Sequence, residues 1–189
     1  MARAGSLFGA LLAMLLSAGL APAAPVETKA RLCASCHGEH GLPSDPAVPI
    51  IWGQKAAYIQ KELSDYRNGD RESQIMSSIA ESLSDAEVPQ IANYFGQAEW
   101  PARAGAMPRA SAPGVVAACE PCHNRNLTGG PSPAGVAPRL AGQYSPYLRD
   151  TMNAYANGER ANSAQMSALM QSLSAAERKA VADYLAGMR

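Results

Sequence analysis

The chain is poor in several residue types at once. Of 189 residues, two are Phe, two are Trp and three are His, and charged residues make up 17%. Sixteen Lys and Arg balance sixteen Asp and Glu, so the formal net charge is zero. A neutral chain offers no strong basic field for a polyanion, and no nucleic-acid partner is expected. Long apolar runs are missing apart from Leu7 to Leu20. That run falls short of the roughly 20 residues that a membrane-spanning helix needs. With Arg3 before it and Ala21-Pro22-Ala23 after it, it reads as an export signal cleaved after Ala23. No segment alternates convincingly between apolar and polar residues, which excludes a strand-built architecture and leaves an all-α fold.

What is present is a repeat. Cys33-Ala34-Ser35-Cys36-His37 recurs as Cys119-Glu120-Pro121-Cys122-His123. Downstream, Pro49, Gly53, Gln54, Tyr58, Tyr66, Asn68, Gly69 and Arg71 reappear as Pro138, Gly142, Gln143, Tyr147, Tyr155, Asn157, Gly158 and Arg160. Met76 to Tyr94 then matches Met166 to Tyr184 with nine identities. This is a duplicated unit of roughly 80 residues, too long and too few for a solenoid. The expected organisation is an export signal (1–23), a first domain (24–98), an Ala/Pro/Gly-rich linker (99–114) and a second domain (115–189). In each unit a helix should run from Ala56 or its counterpart to a stop at Asn-Gly, with apolar residues at helical spacing. The last helix opens with Ser84-Asp85-Ala86-Glu87 or Ser174-Ala175-Ala176-Glu177, the sequence of a capping box. Pro89 should loosen the start of the first copy.

Halves of this size have marginal cores, so each needs something more to hold it together. Four cysteines in an exported chain suggest two disulfides, yet each Cys-x-x-Cys is followed at once by His. That is the attachment signature of c-type haem, with two thioethers to the porphyrin and an imidazole to iron. A four-thiolate zinc site is the competing reading, but 82 residues separate the pairs and each has its own histidine. On the haem reading Cys33, Cys36, Cys119 and Cys122 tether two covalent haems, and His37 and His123 bind iron. The scarcity of histidine decides the sixth ligand: His40 lies too near His37 to reach the other face, which leaves methionine. Met76 and its repeat partner Met166 are the candidates, both placed in a polar loop before the last helix. A His/Met pair raises the reduction potential. Met170 is the rival in the second half, but it aligns with Ala80 and reads as packing. Pro49 and Pro138 are candidates to orient the proximal imidazoles through their carbonyls. Arg71 and Arg160, or Tyr66 and Tyr155, are candidates to bond the haem propionates.

These motifs resemble the c4-type dihaem cytochromes. Members carry two class I cytochrome c domains, each with an early Cys-x-x-Cys-His, a Pro-x-x-x-Gly-Gln segment and a distal Met before the last helix. The resemblance runs from about residue 26 to the end. It implies a periplasmic electron carrier, soluble or loosely membrane-associated, and not an enzyme. Its redox partners would be a quinol-oxidising complex or dehydrogenase as donor, and a terminal oxidase or reductase as acceptor. One alternative is the cytochrome subunit of a dehydrogenase of flavocytochrome type, or of an oxidase. A dihaem peroxidase is a further one, disfavoured because both halves carry a Met and no extra sequence is left for a substrate pocket. Trp52 opposite Ala141 implies that the two pockets differ. Charge differs as well: residues 24–100 hold six Lys/Arg against eleven Asp/Glu, a net −5, and residues 101–189 hold nine against five, a net +4.

Overall fold

In the computed structural model the described residues are Met1, 25–102 and 111–188. The expected export signal, Met1 apart, lies outside them, as does the middle of the linker, residues 103–110.

Each half is built from helices around its own core. Helix α1 (Val26–His37) carries the first Cys-x-x-Cys-His as its last two turns. Helix α2 (Ala56–Asn68) follows and stops at Gly69, whose φ of 80° is the left-handed conformation that glycine adopts without a Cβ clash. Helices α3 (Gln74–Glu81) and α4 (Glu87–Gly96) complete the first half. In the second half a 3-10 turn (Gly114–Ala118) leads into a single-turn helix α5 (Glu120–His123). Pro121 sits in the first turn of α5, where no backbone N–H is needed. A small antiparallel hairpin, β1 (Gly130–Ser132) with β2 (Gly135–Ala137), follows in the register Pro131 opposite Val136. Helices α6 (Ser145–Asn157), α7 (Ala164–Ser172) and α8 (Ala175–Ala186) repeat α2, α3 and α4, with α6 stopping at Gly158 as expected.

Two local expectations need correction. Met76 and Met166 lie in the first turn of α3 and α7, not in a polar loop. The Ser-rich segments concealed helix starts: the hydroxyls of Ser73 and Ser163 accept the N–H of Met76 and of Met166 at 3.3 and 3.4 Å, which are N-caps three residues ahead of each Met. The capping box is complete only at α8, where Ser174 and Glu177 bond each other's backbone N–H. In the first copy Glu87 accepts from Ser84 N–H at 2.8 Å, but the helix begins at Glu87 itself. Pro89 then falls in its first turn, in keeping with a loosened start.

In the first half Ile59 and Leu63 of α2 pack with Val88, Ile91 and Phe95 of α4. In the second, Leu148 and Met152 of α6 pack with Val181 and Leu185 of α8. Trp100, in the connecting segment, crosses both repeated glycines. A Cβ on Gly53 (φ 71°) would lie 2.6 Å from the Trp100 backbone nitrogen, and one on Gly142 (φ 81°) 2.9 Å from its Nε1. The Arg139 guanidinium covers the Trp100 ring at 4.6 Å, so the segment seals the seam between the halves.

Candidate cofactor sites

His37 and His123 end the helical turns that carry the cysteines, and both are buried. His37 Nδ1 is 2.8 Å from the Pro49 carbonyl, and His123 Nδ1 is 2.9 Å from the Pro138 carbonyl. A carbonyl oxygen can only accept, so Nδ1 must hold the hydrogen and the lone pair of the neutral ring resides on Nε2. Burial lowers the pKa of both histidines, opposed in part by these same bonds. The result is a neutral imidazole of fixed tautomer presenting Nε2, the outer-sphere arrangement that a metal-bound histidine requires. All four cysteines are free thiols. Cys33 and Cys119 are pushed up in pKa, chiefly by burial. The two pairs belong to different halves, and among the described residues no group of three or more His, Cys, Asp or Glu is placed to hold a metal ion.

In the second half one cleft brings the expected residues together. Cys119, Cys122, His123 and Met166 all line it, beside Leu148, Met152 and Leu169. Two thiols, one imidazole and one thioether in an apolar cleft form the donor set for a covalently attached haem, so the residues fit the group. Met170 also borders the cleft, but it is a core residue, 2% exposed, like its counterpart Ala80 at 0%. In the first half Cys33 and Met76 pack against the same core cluster. His40 is exposed. Trp52 makes the first half distinct: it meets the Phe95 ring edge-on at 5.3 Å and donates from Nε1 to the Gly38 carbonyl at 3.0 Å.

The arginines and tyrosines considered as propionate partners form a buried cluster between the halves. Arg71 stacks on Tyr66 at 4.6 Å and Arg160 on Tyr155 at 4.5 Å, a repeated pair. Both guanidiniums then converge on one carboxylate, Glu62, at 2.7 and 2.9 Å. Tyr58 accepts from Arg160 at 3.1 Å, and the Asn162 amide donates to Glu62 at 3.2 Å. Burial raises the Tyr66 and Tyr58 hydroxyls and pushes Tyr155 up to about 12. Burial acts the same way on Tyr147, but Arg71 and Arg160 together outweigh it and hold that hydroxyl below its ordinary value. Glu62 escaped the repeat comparison because the second copy has Thr151 at its position. The roles of Gln54 and Gln143 were missed too, although both are repeat identities. Each side chain grips the backbone of the opposite half.

Comparison with known proteins agrees with this geometry. A cytochrome c family model matches residues 114–189. A cytochrome c4 from Thiocapsa roseopersicina is 33% identical over 177 residues, covering 86% of this chain and 90% of that protein. A thiosulfate dehydrogenase electron acceptor from Stutzerimonas stutzeri is 33% identical, covering 84% of this chain and 80% of its own length. Among solved structures, a cytochrome c4 from Acidithiobacillus ferrooxidans superposes with a TM-score of 0.72 at 29% identity, covering 82% of this chain and 98% of that one.

Proposed function

The chain belongs to the c4-type cytochromes, dihaem electron carriers with covalently attached haem c, and from that premise we propose a periplasmic carrier that passes single electrons between respiratory-chain proteins and performs no substrate chemistry of its own. The observation that carries this reading is a site built twice: a buried imidazole locked by a proline carbonyl beside a pair of free thiols. Bound haem supplies the one-electron ferric–ferrous couple.

The chain's residues do the rest. Cys33 with Cys36, and Cys119 with Cys122, tether the porphyrins. His37 and His123 would hold the haem iron through Nε2, their Nδ1 atoms being bonded to the Pro49 and Pro138 carbonyls. Met76 and Met166 would supply thioether ligands to the haem iron, which would keep small ligands away and hold the potentials high. Residues 24–98 and 115–189 act as the two haem domains, 99–114 as their connection, and 1–23 as the export signal. Donor and acceptor are redox proteins. The acidic first half and basic second half suit different partners and would steer each encounter.

A second reading, electron acceptor or cytochrome subunit of a dehydrogenase, is favoured by one observation. Relatives carrying the name thiosulfate dehydrogenase electron acceptor match as well as those named cytochrome c4. Copurification with a larger catalytic subunit would decide for it.

The primary test is a reduced-minus-oxidised visible spectrum of protein exported from a haem-attaching host, with haem retention after acid denaturation. Two retained low-spin haems with a ferric Met–iron charge-transfer band are expected. A high-spin component or carbon monoxide binding by the native protein would instead mean an open iron, and would overturn the carrier assignment.

A further inference from the structure

Between the halves, two glutamines exchange places. Gln143, 2% exposed, accepts the N–H of Ile50 at 3.0 Å and donates to the Ile50 carbonyl at 3.0 Å. Gln54, 5% exposed, accepts the N–H of Arg139 at 2.7 Å and donates to the Arg139 carbonyl at 3.0 Å. Ile50 and Arg139 occupy equivalent positions in the repeat, each directly after the proline that holds a proximal histidine. The consequence lies in the covalent geometry. The Pro49 carbonyl and the Ile50 N–H belong to one planar peptide group, as do the Pro138 carbonyl and the Arg139 N–H.

A continuous hydrogen-bonded chain therefore runs across the seam in each direction. His37 Nδ1–H donates to the Pro49 oxygen, and the same peptide donates its N–H to Gln143 of the other half. His123 Nδ1–H donates to the Pro138 oxygen, and that peptide donates to Gln54. Donating the N–H leaves more negative charge on the carbonyl oxygen, because successive hydrogen bonds polarise one another. A stronger acceptor at Nδ1 makes the imidazole a better donor at Nε2, which favours ferric iron. The glutamine oxygens are themselves anchored by their own half, through Lys55 N–H to Gln54 at 2.9 Å and Tyr144 N–H to Gln143 at 3.0 Å.

We propose that Gln54 and Gln143 are crossed positioning residues: each lowers the reduction potential of the haem in the opposite half by polarising the peptide that holds its proximal histidine. The proposal rests on His37 and His123 being the proximal ligands. It makes the packed interface a determinant of both potentials. Separation or rotation of the halves would then raise both potentials at once.

The test uses the dihaem protein with Gln143→Met and Gln54→Met. The two haems are followed separately by the hyperfine-shifted imidazole resonances of His37 and His123 during a redox titration. Gln143→Met should raise the potential of the His37 haem alone, shifting the electron distribution between haems about threefold, or roughly 30 mV at ~59 mV per decade for one electron. Gln54→Met should do the same for the His123 haem. Exchange of the corresponding histidine Nδ1–H should quicken in each. Gln143→Glu keeps an acceptor for the Ile50 N–H in either protonation state and should abolish the rise. A shift in the substituted residue's own half, equal shifts in both haems, or none would overturn the proposal. Missing imidazole resonances in the unsubstituted protein would instead refute the ligand assignment beneath it. Should Gln143→Met not fold, the Gln54→Met and Gln143→Glu proteins decide the matter alone.

Discussion

Replacing Glu62 with Gln probes how the halves are held together, and the geometry sets the size of the effect. Glu62 lies 2.9 Å from Arg160, with side-chain exposures of 9% and 5%. The pair Lys179–Asp183 is no longer, at 2.7 Å, but its side chains are 64% and 51% exposed. Equal separation with unequal burial isolates the dielectric. Exposed helical pairs of the second kind contribute about 0.3–0.5 kcal/mol. Breaking a buried pair costs about 3–5 kcal/mol, because the remaining charge stays out of water. Gln still offers an oxygen to one arginine, and both guanidiniums keep their tyrosine faces, so the lower end applies, about 3 kcal/mol. A double-mutant cycle with Arg160→Gln should return a coupling of about 2 kcal/mol, little changed in 1 M salt because buried charges are weakly screened. Urea unfolding of the haem-loaded protein, followed by far-UV circular dichroism and haem absorbance, measures both. A coupling below about 0.5 kcal/mol, or its loss in high salt, would refute the claim that the pair is desolvated.

Other outcomes follow from single sites. Met76→Leu and Met166→Leu should each open one iron, seen as a high-spin fraction, stoichiometric carbon monoxide binding and a lowered potential for that haem; an unchanged spectrum would remove that Met from the ligand set. Ser163→Ala should cost about 1 kcal/mol through loss of the α7 cap, and should weaken the Met–iron charge-transfer band before global unfolding. Gly96→Ala should destabilise the first half by about 1–3 kcal/mol, since its Cβ would fall 2.7 Å from that of Ala56. The melting temperature reads this, and an unchanged value would mean that α2 and α4 can part without loss.

The cysteine pairs, the histidines, the two methionines and the helical repeat were all readable in the chain, because each is a local pattern. Covalent haem attachment requires thiols and imidazole at fixed short spacing, and helices advertise their buried faces through period. Duplication strengthened this by showing every pattern twice. The helical setting of Met76 and Met166 was hidden because a serine cap resembles a polar loop until its hydroxyl is seen on the N–H three residues on. Pro49 and Pro138 could be nominated from sequence, but whether their carbonyls face the histidines depends on how a loop folds back. Glu62 and the crossed glutamines lay beyond any local rule. Their partners across the seam are 85 to 100 residues away, and no periodicity records which backbone groups two packed domains leave for each other. Sequence alone thus nominated the haem-binding residues proposed for each half. The tertiary structure decided that each half completes the surroundings of the other's histidine, because a buried peptide N–H must find its acceptor wherever the interface places one.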